Sequence, residues 1–219
     1  MNNFLLFDNV TKLYSNRWLA LDSVSFSLDA GEFVFLVGPS GAGKSTLLKL
    51  IYLGEFPTSG EIRYLNWSTE NITADEIPLL RRKVGVIFQD FKLLPEKTAY
   101  ENIAFALRAV GTPRKKIRRR TNELLQSVGL SHKKDSYPPQ LSGGEKQRIS
   151  IARAIALSPP LILADEPTGD LDPETAGGIM ELILNIHRQG TAVMLATHNM
   201  DMLRDFNFRV LELREGKLV

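Results

Sequence analysis

Apolar residues in this chain fall into short dense runs and longer stretches with helical spacing, and the two kinds alternate. Residues 4 to 10, 23 to 28 and 32 to 37 are rich in Phe, Val and Leu and are separated by turn-like residues, which predicts three strands. From Thr46 to Tyr52 the spacing is helical. A turn at Pro57-Thr58-Ser59-Gly60 leads to a short strand over Glu61 to Tyr64, and Ile77 to Lys83 reads as a short helix. Val84 to Phe88 is a buried type of strand that ends at Gln89. The pattern then changes over residues 90 to 140, where Thr98 to Val110 and Pro113 to Val128 both carry helical apolar spacing. The second of these has Pro in its first turn and Gly129 as its stop signal.

A further helix is predicted from Leu141 to about Leu157, followed by a buried strand over Leu161 to Ala164. Asp172-Pro173-Glu174 reads as a helix start, with Asp172 as N-cap and Pro173 at the first helical position; the helix runs to Gln189 and Gly190 ends it. Ala192 to Ala196 is another buried strand, leading to Thr197-His198. Phe208 to Leu213 and Lys217 to Val219 read as a closing hairpin through Glu215-Gly216.

Composition narrows the class. With 219 residues and 43% apolar content, the chain can bury a full core and is expected to form one domain over 1–219. No apolar run approaches the roughly 18 residues of a membrane span. The stretch from Met1 to Asp8 lacks a basic start and a cleavage site, so the chain is expected to be neither exported nor integral to a membrane. It has no cysteine, hence no disulfide framework or thiolate metal site, which fits a reducing cytoplasm. A formal net charge of +2 gives no general case for nucleic-acid binding. The basic run Arg114-Lys115-Lys116-Ile117-Arg118-Arg119-Arg120 reads either as a solvated helix face or as a patch that anionic lipid would attract.

The candidate chemistry centres on Gly38-Pro39-Ser40-Gly41-Ala42-Gly43-Lys44-Ser45-Thr46, which matches the phosphate-loop pattern G-x-x-x-x-G-K-[ST] between a predicted strand and a predicted helix. Its glycines let successive N–H groups and the following helix end point at one anion. Lys44 can then reach the outer phosphates, and the Ser45 hydroxyl can reach Mg2+. Tyr14 is either a stacking surface for adenine or an ordinary sheet residue. Ser142 and Glu145 have the spacing of a capping box. Capping does not require Gly143 and Gly144, whose uncovered N–H groups offer a second phosphate site. Asp165-Glu166 follows a buried strand, where one carboxylate can hold Mg2+ and its neighbour can orient or deprotonate water. His198 falls on the same predicted sheet edge.

In that order, the loop Gly38 to Thr46, Gln89, Leu141 to Glu145, Asp165-Glu166, Gly169 to Asp172 and His198 resemble the motif series of the ABC-type ATPases. The resemblance spans nearly the whole chain. It implies an α/β fold with a P-loop NTPase core, an N-terminal antiparallel β subdomain and a helical subdomain over about 90–158. It also implies ATP and Mg2+ as ligands. Tyr14 would stack on adenine; Gly38, Ser40, Gly41, Gly43, Lys44, Ser45 and Thr46 would bind phosphate; Ser45, Gln89 and Asp165 would serve the metal. Glu166 would be the catalytic base, with Gln89, which would sense the γ-phosphate and the partner, and His198, which would contact the γ-phosphate, as the other catalytic residues. Ser142, Gly143 and Gly144 would meet nucleotide across a head-to-tail homodimer, and Asp172 would also bind nucleotide. Phe88-Gln89-Asp90-Phe91-Lys92-Leu93-Leu94, with the loop, resembles the cell-division group of that family, the FtsE type. This implies an integral membrane partner of FtsX type docking near Gln89 to Asn102, contacts with the division machinery, and a place on the inner face of the plasma membrane. ATPases of lipoprotein release and macrolide efflux share Phe-Gln-x-Phe-x-Leu-Leu and are the alternative. Asp170 and Asn199 depart from the usual Asn and acid at those positions.

Overall fold

The computed structural model describes residues 4–15, 17–199, 203 and 206–219. The chain begins with an antiparallel pair, β1 (Leu5–Leu13) and β2 (Leu19–Leu28), and β3 (Phe33–Val37) then feeds α1 (Lys44–Ile51). Next come β4 (Ser59–Tyr64), β5 (Trp67–Ser68), α2 (Ile77–Arg81) and β6 (Val84–Ile87). Three helices follow: α3 (Ala99–Ala109), α4 (Arg114–Ser127) and α5 (Gly143–Ala154). The chain closes with β7 (Leu161–Asp165), α6 (Pro173–Arg188), β8 (Ala192–Thr197), β9 (Arg209–Arg214) and β10 (Lys217–Leu218).

These strands make two sheets. One is antiparallel, in the order β2-β1-β4-β5; the other, in the order β10-β9-β3-β8-β7-β6, is parallel except for β10. Alternation along the parallel strands divides the core. Val34, Leu36, Leu161, Leu163, Met194 and Ala196 pack on one face with α1 and the antiparallel sheet. Phe33, Phe35, Val37, Ile162, Val193 and Leu195 pack on the other face with Ile179, Met180 and Ile183 of α6. Strands buried on both faces read as unbroken apolar runs, which is why they were legible without alternation. A third core joins α3, α4 and α5 through Ile103, Leu107, Leu124, Leu125 and Ile149. This is the ABC-type arrangement: a P-loop NTPase core with an antiparallel β subdomain and inserted helices.

The element bounds differ from the sequence reading at several points, each with a local cause. The first two strands are longer than expected because Asn9 and Ser23 sit at φ 48° and 52°, bulging both strands and breaking the period-2 pattern. Thr11 Oγ1 accepts the Ser23 N–H and Ser25 Oγ accepts the Asn9 N–H, so the bulged backbone stays satisfied. The turn expected over residues 57–60 already belongs in part to β4, which starts at Ser59. Pro113 is the N-cap of α4 rather than its first residue, and α5 stops at Ala154 instead of about Leu157. The two-residue β5 carries no pattern to read. The closing hairpin turns where expected, with Glu215 and Gly216 both at positive φ.

β6 approaches α5 closely at Gly85. A Cβ there would lie 2.5 Å from both the Ala154 carbonyl oxygen and Ile162 Cδ1. Gly85→Ala is therefore expected to cost roughly 1–3 kcal/mol through overpacking. A lowered denaturation midpoint with unchanged slope is the readout.

Candidate active site

Register brings the distant motifs together. Val37 pairs with Thr197, Asp165 with Ala196 and Ile87 with Ala164, so β3, β8, β7 and β6 end side by side. The loop before Lys44, then His198, Asp165-Glu166 and Gln89 follow those four ends. A parallel sheet gathers ligands at this edge because every crossover returns the chain to the opposite one.

A cleft of about 250 Å3 opens there, lined by Ser40, Gly41, Gly43, Lys44, Ser45, Thr46, Gln89, Asp165, Glu166 and Trp18. Gly43 is the N-cap of α1 at φ 107°, with no side chain capping the helix, and a Cβ would strike the Ala20 carbonyl. Gly41, at φ 80°, faces open space. The Lys44 side chain is buried, its ammonium donating to the carbonyls of Gly38 (2.7 Å) and Pro39 (3.2 Å) and lying 3.7 Å from Glu166 Oε1. Glu166 takes the left-handed conformation at φ 46°, which is strained for a residue with a Cβ. Its N–H donates to the Ala196 carbonyl at 2.9 Å, and its Oε1 is 2.8 Å from His198 Nδ1. Burial pushes the Asp165 carboxyl above the usual aspartate range, against the opposing pull of a hydrogen bond from Ser45; the neighbouring Glu166 charge adds to the rise.

Not every expected residue meets the cleft. Tyr14 stacks on Trp18 with ring centroids 5.3 Å apart and planes 11° apart, and its hydroxyl is 3.4 Å from Thr46 Oγ1. Trp18, which the sequence reading did not select, is the aromatic residue that lines the cleft. The signal available for it was an aromatic four residues after Tyr14, across the turn in which Tyr14 N–H donates to the Trp18 carbonyl. Ser142, Gly143, Gly144 and Asp172 lie outside this lining. Ser142 forms the expected capping box: its Oγ accepts the Glu145 N–H at 3.2 Å, and Glu145 Oε2 accepts the Ser142 N–H at 2.8 Å. The bond from the Ser142 N–H, helped by the Lys133 ammonium 3.3 Å from Oε1, holds the Glu145 carboxyl below its ordinary range against the effect of burial. Asp172 caps α6 by accepting the Thr175 N–H at 3.0 Å. Gly144 has a packing cause beyond anything capping requires, since a Cβ would run into Thr175 Cγ2.

α5 is tied to the loops that follow Glu166 and Gln89. Gln147, fully buried, donates from Nε2 to the Pro167 carbonyl at 2.8 Å, one residue beyond Glu166. Arg153 forks onto two successive carbonyls after Gln89, at 2.7 Å to Phe91 and 2.6 Å to Lys92. Phe91 and Lys92 both hold positive φ, 59° and 48°, so the fork clasps a strained backbone. Asn102, on α3 and fully buried, bonds both backbone groups of Leu94 and the carbonyls of Lys97 and Thr98. Gln89 itself is 3.5 Å from Asp170 Oδ2. Neither Arg153 nor Asn102 was selected from sequence, because a lone Arg and a lone Asn inside helical patterns carry no spacing signal.

The donor set fits a nucleoside triphosphate and a hard divalent cation. An uncapped helix N-terminus, a backbone cradle and a buried ammonium converge where phosphates would lie. Among the described residues no group of three or more His, Cys, Asp or Glu can hold a metal unaided. Two protein oxygens, from Ser45 and Asp165, suit Mg2+, which keeps water and phosphate oxygens in its shell. Releasing the clasp should be felt at the chemistry: Arg153→Ala is expected to lower ATP turnover by about tenfold or more while ATP affinity holds, because small displacements of a positioning loop are costly. Arg153→Lys, which cannot fork, should recover only part of the rate. Equal turnover in all three proteins would show that the clasp does no positioning.

A family model described as ABC transporter matches residues 21–169. The chain is 47% identical over 211 residues to the cell division ATP-binding protein FtsE of Streptococcus pneumoniae, covering 96% of this chain and 92% of that protein. It is 48% identical over 210 residues to the protein of that name in Bacillus subtilis, covering 96% and 92%. The fold matches the ATP-binding cassette MJ0796, solved as a dimer in a post-hydrolysis state bound to ADP and Pi, with a TM-score of 0.89 and 38% identity over 98% of this chain and 96% of that one. With the phosphate loop, the paired carboxylates and the edge histidine gathered on one parallel sheet, this chain belongs to the ABC transporter family, as one of its ATP-hydrolysing cassettes.

Proposed function

We propose that two copies of this chain close head to tail on two ATP molecules and pass the motion to an integral membrane partner of FtsX type. The output would be control of septal cell-wall hydrolysis at the division site. One observation carries the dimer: Ser142 is exposed and lies, with Gly143 and Gly144, outside the cleft that holds Lys44, Ser45 and Glu166. Those residues would then complete the site of the opposite subunit. MJ0796 is dimeric, and the FtsE relatives support the division role.

In this reading the loop from Gly38 through Thr46 cradles the phosphates and Lys44 exchanges its loop carbonyls for phosphate oxygens. Trp18, backed by Tyr14, offers the base its stacking face. Ser45 and Asp165 would hold Mg2+, with Gln89 beside them. The chemistry supplied by such an ion would be to offset negative charge on the phosphates. Glu166 takes a proton from the attacking water as the water oxygen bonds to the γ-phosphorus and the bond to the β,γ-bridging oxygen breaks. His198, hydrogen-bonded to Glu166, orients that carboxylate. The N-terminal N–H groups of α5 meet the γ-phosphate only in the closed dimer, so ATP favours closure by differential contacts and hydrolysis removes them. No helix among the described residues is long and apolar enough to cross a membrane, so the motion would act through a separate membrane protein, docked near Gln89 to Asn102.

Glu166→Gln is expected to bind ATP normally, accumulate a closed dimer and turn over at least about 100-fold more slowly; normal phosphate release would refute its role as base. For Lys44→Ala, calorimetry should register a loss of ATP affinity. The partner reading predicts co-purification with a membrane protein bearing a large external domain, and division failure on depletion. A transporter-type permease without a division phenotype would assign the chain to lipoprotein release or efflux.

A further inference from the structure

The helix α4 places its charges against its own stability. Six of the 27 basic residues of the chain lie within 114–120, while the remainder, 21 basic against 25 acidic side chains, is net negative. The N-cap Pro113 offers no side-chain cap, and no acid stands in the first turn. Cations there oppose the positive end of the helix dipole. Arg114 and Arg118, Lys115 and Arg119, and Lys116 and Arg119 are also like-charged neighbours at helical spacing. Internal relief is limited. Arg119 pairs with Glu123 at 2.8 Å, and Arg120 turns inward to the carbonyls of Ile155 and Ala156. Arg114, Lys115, Lys116 and Arg118 are exposed and make no ion pair among the described residues. Such an arrangement is explained by an external anion and not by folding.

We propose that this face of α4 is a landing surface for the anionic headgroups of a phospholipid bilayer. Two features select a membrane over other polyanions. Along the chain the run is preceded, across the tight turn at Gly111 and Thr112, by exposed Arg108, and Phe105, 52% exposed, lies one turn before Arg108 on the same face of α3. Cations beside an outward aromatic suit the headgroup boundary, where charge attracts and the ring inserts. The second feature rests on the membrane-partner reading above: α3 starts inside the proposed docking stretch, which Asn102 fastens to it. Eleven helical residues span roughly 16 Å, which bounds how far the patch lies from that docking stretch.

The test uses the full chain alone and co-sedimentation with vesicles of phosphatidylcholine, with or without about one-third phosphatidylglycerol. The native chain is expected to bind only the anionic vesicles and to come off at about 0.5 M salt. Replacing Arg114, Lys115, Lys116 and Arg118 together by Gln should lower that binding by about 100-fold or more, as each surface cation contributes about fivefold. The pair Lys115→Gln and Lys116→Gln should lose an intermediate amount. Both variants should keep native ATP turnover and an equal or higher melting temperature, which separates lost binding from lost folding. Equal vesicle binding by the native and four-site proteins would overturn the proposal, as would no binding by the native chain. Tighter retention of duplex DNA or RNA than of vesicles would overturn it in favour of nucleic acid. The vesicles contain no protein, so this result stands or falls separately from the identity of any membrane partner.

Discussion

The structure depends on the register of four neighbouring parallel strands. β6, β7, β8 and β3 pair so that residues from positions 38 to 198 of the chain end on one edge, although each strand is only four to six residues long. Slipping one strand by a single residue would exchange its two buried faces, moving Phe35 or Leu195 out of the α6 core and into the α1 core. Both faces are fully packed, so that slip is costly, and the edge inherits its precision from the core. The close approach at Gly85 belongs to the same constraint, since it lets α5 lie against the sheet.

Electrostatics at the edge follows from this scaffold. Glu166 and Lys44 are brought within 3.7 Å in a largely buried setting, and His198 meets the same carboxylate from the next strand. Strained backbone at Glu166 persists because its N–H is anchored to the Ala196 carbonyl across the sheet. Asp165, one residue earlier, is the last residue of β7, and burial works against its charge. A cation delivered there would be welcomed by a carboxylate that the protein itself solvates poorly.

Much of this was legible in the sequence because it is written locally. The phosphate loop, the capping box at Ser142 and Glu145, the N-cap at Asp172 and the buried runs of β3, β7 and β8 each depend on residues close together in the chain. What stayed hidden was written across distance. The bulges at Asn9 and Ser23 are satisfied by Ser25 and Thr11 on the opposite strand, so neither strand's own pattern reveals them. Trp18 joins the cleft only because a turn carries it over Tyr14. Gly144 looked free of structural duty until α6 laid Thr175 against it. Arg153 serves carbonyls 61 and 62 residues away.

The attachments of α5 have a mechanical consequence. One twelve-residue helix begins at the exposed Ser142 cap, holds the loop after Glu166 through Gln147, and ends gripping the loop after Gln89 through Arg153. A body held at two points along its length transmits torque instead of absorbing it. Any tilt imposed at its exposed tip must therefore swing the loops beside both Glu166 and Gln89, so in a paired assembly neither half could keep its own time.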